Sequence, residues 1–183
     1  MIAALILADG DATGIAEQWL ALRGAGLDPL RIAVGRGGRS AAGSAGLARE
    51  NFVLDRSRAG SPFSAMQAGL RALLAADAWD AVVVQPAAAP PPHPSVVLAL
   101  LTRLADGDAG AVRPAHRGRA GFPLVLARQG AEALLDVDPR RATLEAVIAA
   151  LEDAGAAARL EVYTSEVLPA PVRRARRGRG VRR

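Results

Sequence analysis

Runs of apolar residues alternate with amphipathic stretches along most of the chain. Residues 2–7 and 81–84 are continuous apolar runs, which predict strands covered on both faces. Between them, Met66, Leu70 and Leu73 recur at helical spacing and predict a helix that buries this stripe against the sheet. Strands that alternate with amphipathic helices indicate a mostly parallel sheet with helices on both faces. We therefore expect a three-layer, doubly wound α/β fold.

The same patterns place the other elements and the end of the domain. Thr143 is a suitable cap for a last helix, and Gly155 is suited to ending it. Residues 169–183 contain Pro, Gly and Arg without apolar periodicity, so we interpret 1–168 as one domain and 169–183 as a tail. The other predicted strands are 30–34, 52–53, 109–112, 122–127 and 159–163, and the helices are 15–23, 62–76, 94–104 and 144–153.

The stretch VVVQPAAAPPPHPSVV, residues 82–97, joins a predicted strand to a predicted helix through an unusually apolar loop. In an open α/β sheet, ligands bind at the carboxyl ends of the strands, where polar side chains are expected. This loop presents methyl groups and proline rings instead. His93 is a candidate general acid or base within it, and the alternative is that His93 marks the helix start beside Pro94.

Splitting the charge by region changes its meaning. The formal net charge is +5, all 23 basic residues are arginine, and seven of these lie in residues 173–183. The remaining 16 basic and 18 acidic residues give the body a net charge of about −2. The body therefore does not favour nucleic acid, whereas the tail at 173–183 is a candidate contact for RNA, DNA or an acidic partner. The alternative is a solvated tail, since it lacks aromatic residues that stack on bases.

Composition also excludes several kinds of site. The absence of cysteine excludes disulfides, Cys-ligated zinc and a thiol nucleophile, and two histidines are too few for a His-rich metal site. The N-terminal apolar run is short for a secretory signal, and prolines interrupt the uncharged stretch at 81–102. We expect a cytoplasmic protein without a membrane span, as a monomer or dimer.

Four stretches carry a family resemblance: ALILADG, GSPFSAMQAGLRAL, DAVVVQPAAAPPPHPSVV and GRAGFPLVL. In this order and spacing they resemble the MobA-like nucleotidyltransferase family, which includes the molybdopterin guanylyl- and cytidylyltransferases, over roughly residues 2–165. The resemblance implies a nucleotidyltransferase-type fold that uses Mg²⁺ and a nucleoside triphosphate. It also implies that the nucleotide contacts Leu7, Ala8, Gly10, Gly60, Ser61 and Ser64.

The chain departs from the family pattern at its charged positions. Gly14 stands where the family has an arginine, and Trp19 or Leu20 stands where it has a lysine. Ala88 stands at the position of the metal-binding aspartate, and alanine offers no oxygen side-chain ligand to magnesium. No confident catalytic residue is therefore assigned. Restoring these groups with Ala88→Asp, Gly14→Arg and a lysine at 19 or 20 is expected to improve triphosphate binding.

The loop that follows the first predicted strand, called the first loop below, carries Asp9 and Asp11 and lacks the family's arginine and lysine. Three hypotheses follow. The first is a degenerate member with a residual nucleotide pocket and weak or no activity. The second is an active cytidylyl- or guanylyltransferase-like enzyme with a metal site relocated to Asp9 and Asp11. The alternative role of these two residues is to solvate the turn and to favour the next helix through its dipole. The third is a protein that binds a partner or nucleic acid through its arginine tail.

Overall fold

The computed structural model describes residues 1–8, 14–35, 45–76, 78–164 and 167. The strands are β1 Ile2–Ala8, β2 Leu30–Val34, β3 Phe52–Leu54, β4 Ala81–Pro86, β5 Ala111–His116, β6 Arg119–Ala120, β7 Leu124–Ala127 and β8 Ala157–Glu161. The helices are α1 Ile15–Gly24, α2 Pro62–Ala76, α3 Pro94–Ala105, α4 Arg128–Leu135 and α5 Leu144–Asp153.

These strands form one mixed sheet in which β4 is the middle strand. The order is β3-β2-β1-β4-β7-β5, and β8 pairs with β5 at the far side. Strands β1 to β4 run parallel, β7 is antiparallel to both β4 and β5, and β8 is parallel to β5. Because β8 occupies one edge of β5 along most of its length, β6 pairs with β5 on the β7 side and continues the line of β7.

Helices cover both faces of the sheet, as the alternating pattern predicts. Leu5 and Leu7 of β1 pack in a cluster with residues of α2, α4 and α5, whereas Ala4, Ile6 and Ala8 pack with residues of α1 and α3. This division follows from the two-residue repeat of a strand, which sends neighbouring side chains to opposite faces. The three-layer α/β fold is confirmed.

The predicted helical stripe is buried where the spacing placed it. Met66, Leu70 and Leu73 are fully buried in the cluster that contains Leu5 of β1. Gly69 lies on the same helix, and a Cβ at this position would overlap the Leu5 side chain and approach the Ala33 Cβ to 3.1 Å. The small residue therefore lets α2 lie close to the sheet.

The hairpin between β5 and β6 is tighter than the sequence predicts. Between the predicted strands at 109–112 and 122–127, the sequence HRGRAG at 116–121 predicts a turn, but His116 pairs with Arg119 in the ladder, leaving Arg117 and Gly118 as the turn. Both turn residues have positive φ, 52° for Arg117 and 75° for Gly118. Two such residues match the right-handed twist of antiparallel strands, which is why the ladder continues to the turn.

Helix α4 is absent from the elements that the sequence predicts. Its apolar signal is short, with Ala131, Leu134 and Leu135 at positions i, i+3 and i+4. The buried amide of Gln67 in α2 donates to the carbonyl oxygens of Leu134 and Val137, each at 2.8 Å. These bonds anchor the end of α4 and the start of the segment that leads to α5.

Within the described part of the chain, no helix combines the length and the apolar character needed to cross a bilayer.

Candidate functional site

A cavity of about 370 Å³ lies at the carboxyl ends of β1 and β4, bounded by the first turns of α2 and α5. This edge of a mostly parallel sheet is where ligands bind in open α/β folds. Its described lining is largely apolar: Leu7, Pro62, Phe63, Pro86, Ala87, Ala88, Phe122 and Leu144, with Ser61, Thr143 and Glu145 as the polar members. The cavity is therefore suited to a flat, weakly polar group.

The proline-rich loop after β4 forms one wall of this cavity, with Ala87 and Ala88 in the lining. Two buried glutamines hold the loop: Gln85 donates its amide to the carbonyl oxygen of Pro90 at 2.8 Å, and Gln18 of α1 donates to that of Ala89. The loop is thus a packed apolar wall, which accounts for its alanines and prolines.

His93 ends the same loop and begins α3. Its Nδ1 atom lies 2.7 Å from the Ser95 hydroxyl and accepts a hydrogen bond from the Ser95 backbone N–H at 3.3 Å. His93 is exposed and is the N-cap residue, with Pro94 at the first helical position. The interpretation of His93 as a helix start is confirmed, and this residue does not line the cavity.

Ser61 and Ser64 form a reciprocal cap on α2. The Ser61 backbone N–H donates to Ser64 Oγ at 2.9 Å, and the Ser64 backbone N–H donates to Ser61 Oγ at 3.1 Å. The Ser64 hydroxyl also lies 2.5 Å from a carboxylate oxygen of buried Asp55, at the end of β3. The hydroxyl of the buried Ser64 is therefore occupied by the cap, whereas Ser61 is half-buried and lines the cavity.

The other residues that the resemblance implicates are divided by the strand repeat. Leu7 lines the cavity, but Ala8 packs on the opposite face of the sheet with the α1 side. Gly60 precedes the α2 cap and has a φ of 58°. Gly10, Asp9 and Asp11 lie outside the described residues, so the predicted metal site stays a prediction.

A network of charges fixes α5, whose first turn lines the cavity. Buried Arg113 of β5 donates to both carboxylate oxygens of Glu152, at 2.7 and 3.1 Å, and to Glu145 at 3.3 Å. Arg159 of β8 also donates to both oxygens of Glu152, at 2.9 and 2.6 Å. Hydrogen bonds from Arg159, and then those from Arg113, lower the pKa of Glu152 to about 2, although burial opposes this shift.

The chain matches the model of the MobA-like NTP transferase domain over residues 4–163. The chain belongs to this family. The match begins within β1 and extends past the end of β8, so it includes every described element that bounds the cavity at least in part. Comparison with curated proteins gave no significant match.

Several solved structures resemble this MobA-like domain. Rv0371c of Mycobacterium tuberculosis, in a complex with manganese, is 18% identical with a TM-score of 0.63, and the alignment covers 88% of each chain. A nucleotidyl transferase from Methanothermobacter is 17% identical with a TM-score of 0.60, over 90% of this chain and 88% of that one. The 4-diphosphocytidyl-2C-methyl-D-erythritol synthase of Anaerococcus prevotii is 13% identical with a TM-score of 0.64, over 93% and 92%. At these identities, the comparison supports the fold alone.

The described residues of the MobA-like domain do not fit a magnesium ion. Mg²⁺ needs near-octahedral oxygen coordination with one or two carboxylates. Ala88, which the resemblance aligns with a metal-binding aspartate, presents only a methyl group to the cavity, and Glu145 pairs with Arg113 at 3.3 Å. Within the described ranges, no three His, Cys, Asp or Glu side chains are grouped to hold a metal ion.

Gly14, which the resemblance aligns with an arginine, occupies a site with no room for a side chain. It has a φ of 91°, and a Cβ built there would lie 2.5 Å from the carbonyl oxygen of Ala87 in the cavity wall. Positive φ and this backbone contact both oppose any larger residue. The expected benefit of Gly14→Arg therefore conflicts with the structure, because Gly14 lies against the backbone of the proline-rich loop at Ala87.

Gly14→Ala is expected to lower the free energy of unfolding by about 2 kcal/mol, because it combines positive-φ strain with overlap against Ala87. Gly26→Ala is the matched control: its φ is 79°, but no atom lies within 4 Å of the position that its Cβ would take, so only the strain of about 1 kcal/mol applies. Urea unfolding of the two variants measures the difference. Equal losses would show that Ala87 moves away without cost.

Of the eleven lining residues, sequence analysis named only Leu7, Ser61 and Ala88 as site positions, and the ones it missed include Thr143, Leu144 and Glu145 at the start of α5. The sequence identifies Thr143 only as a helix cap and Leu144 only as the first residue of the predicted helix. Helix α5 reaches the site because the strand that follows it, β8, pairs with β5. This pairing brings α5 alongside the antiparallel part of the sheet. A pairing between strands distant in sequence is not visible in local periodicity.

Proposed function

We propose that this MobA-like NTP transferase domain has retained a pocket for the nucleoside part of a nucleotide and transfers nucleotidyl groups weakly or not at all. The observation that carries the proposal is the composition of the cavity: its position at the ends of β1 and β4 suits a nucleotide, but Ala88 and the rings of Pro62 and Pro86 in its lining offer no ligand to a metal ion. Nucleotidyl transfer requires neutralisation of the triphosphate charge, which the described lining of this cavity does not supply.

The size and the chemistry of the cavity support a nucleoside as its ligand. A volume of about 370 Å³ suits a base with its sugar, and Phe122 and Leu144 offer apolar contact to a flat ring. Ser61 and Thr143 can hydrogen-bond polar atoms of the ligand. Glu145 can accept hydrogen bonds from ring or exocyclic N–H groups.

Ala88→Phe is expected to weaken nucleoside binding at least about tenfold, because the new ring fills the cavity from its wall. Ala99→Phe is the control, since Ala99 is exposed on α3 and does not line the cavity. Calorimetric titration with cytidine, guanosine, adenosine and uridine measures the effect. Equal affinity in the two variants, or no binding by the wild-type protein, would contradict the proposal.

Activity separates the degenerate domain from an active enzyme. We expect the affinity for each of the four nucleoside triphosphates to be nearly unchanged by magnesium, with no release of pyrophosphate. Magnesium-dependent turnover that is lost in Asp9→Asn or Asp11→Asn would favour the relocated metal site. Salt-dependent binding of RNA, DNA or an acidic protein that requires residues 173–183 would favour action through the tail.

A further inference from the structure

We propose that Arg140 and Arg141 form a phosphate-binding subsite beside the apolar cavity, supplied by the segment between α4 and α5. This inference rests on the proposed function, because it assigns the anionic part of the ligand whose nucleoside occupies the cavity. The phosphate contacts then come from the segment between α4 and α5, and not from the first loop, where the family resemblance implies them.

A second cavity, of about 430 Å³, directly adjoins the first. Ser61 and Thr143 line both cavities, so the two spaces share one boundary. The second cavity is lined in addition by Arg140 and Arg141. An apolar space and a cationic space therefore lie side by side, and a ligand with a flat ring and an anionic group matches this pair.

The local sequence explains why the two arginines are held at this place. Residues 138–141 form a turn in which the Arg141 backbone N–H donates to the Asp138 carbonyl oxygen at 3.1 Å. The Asp138 carboxylate accepts from the Arg140 backbone N–H at 2.9 Å, and Pro139 fixes the second position. Thr143 then caps α5 by accepting from the Ala146 N–H at 3.2 Å. The turn and the cap fix the backbone on both sides of the arginines.

Both guanidinium groups can reach an incoming anion. Arg141 is 88% exposed, and its ion pair with Asp138 is long, at 3.6 Å. Such a surface pair contributes little, so a phosphate with several charged oxygens can displace it. For Arg140, no ion pair is found with any residue that the structure describes. Glu145 lines only the apolar cavity, and Arg113 offsets its charge.

Inorganic pyrophosphate is the probe for this subsite, in the full-length protein at about 0.15 M salt. Binding is followed by the NMR shifts of the Ser61 and Thr143 backbone amides, which report on the shared boundary and not on the arginine tail. The double variant Arg140→Ala/Arg141→Ala is expected to bind at least about tenfold more weakly. The control Arg117→Ala/Arg119→Ala removes the same charge from the exposed β5–β6 turn and should bind like wild type.

The phosphate subsite and the nucleoside pocket are tested by different measurements. Saturable shifts at Ser61 and Thr143 that depend on Arg140 and Arg141 support the subsite, even if nucleosides do not bind. Absence of these shifts in wild type, or equal weakening in the control variant, overturns the subsite. Nucleoside binding that gains nothing from added phosphates also overturns it, while leaving the nucleoside pocket intact.

Discussion

Gly130→Ala is expected to lower the free energy of unfolding by about 3 kcal/mol, because α4 has no room for a Cβ at this position. A Cβ on Gly130 would overlap the carbonyl oxygen of Gly110 and lie 2.9 Å from its carbonyl carbon. Both atoms belong to backbone at the start of β5, so no side-chain rotation relieves the overlap. The helix must shift, and the free-energy cost of this shift exceeds the gain in helix propensity of about 1 kcal/mol.

Gly24→Ala is the control for that propensity gain. Gly24 ends α1, and no atom lies within 4 Å of a Cβ built there. This variant is expected to be neutral or more stable by up to about 1 kcal/mol. Chemical denaturation of both variants gives the comparison, and a Gly130→Ala protein as stable as wild type would show that α4 is not held against β5. Because α4 leads to Arg140 and Arg141, its displacement should also weaken pyrophosphate binding.

Glu152→Gln is expected to lower the free energy of unfolding by about 3 kcal/mol at pH 7. The Glu152 side chain is 10% exposed and receives four hydrogen bonds from Arg113 and Arg159. Its pKa falls from 4.5 to about 2 in the folded protein, which corresponds to stabilisation on the order of 3 kcal/mol. The substitution also leaves Arg113, which is 8% exposed, with Glu145 as its remaining partner in the described network.

The stabilisation by Glu152 depends on pH, because the pKa of this carboxyl is lower in the folded protein than in the unfolded chain. A lowered native pKa means that the unfolded chain takes up protons first as pH falls. The stabilisation is therefore complete above pH 4.5, declines between pH 4.5 and about 2, and is absent below that range. The difference between wild type and Glu152→Gln should shrink across this window, as measured by urea unfolding at pH 7, 5, 4 and 3.

Glu132→Gln provides the comparison at an exposed ion pair. Glu132 lies 3.3 Å from Arg128 in α4, and its side chain is about half exposed. Its loss is expected to change stability by no more than about 0.5 kcal/mol. A Glu152→Gln difference that stays constant from pH 7 to pH 3 would mean that the arginines do not stabilise the ionised carboxylate.

The sequence by itself determined the fold class and part of the core, without Ala131 and Leu134 of the missed helix α4. Residues 2–7 and 81–84, together with the Met66, Leu70 and Leu73 stripe, predict their elements because hydrophobic periodicity reports directly on which side chains are buried. The order of motifs also predicted the family. The absence of lysine and the alanine at position 88 are equally visible in the sequence, since the identity of a residue fixes the chemistry it can offer.

Only the tertiary structure decided how distant segments meet. The position of α5 at the cavity depends on β8 pairing with β5, and the placement of Arg140 and Arg141 depends on bonds from Gln67 to α4. The packing of Gly14 against Ala87 likewise joins two loops far apart in sequence. Local patterns determine which face of an element is buried, but not which element will cover it. The apolar cavity and its cationic neighbour arise from such pairings, which is why the tertiary structure was needed to find them.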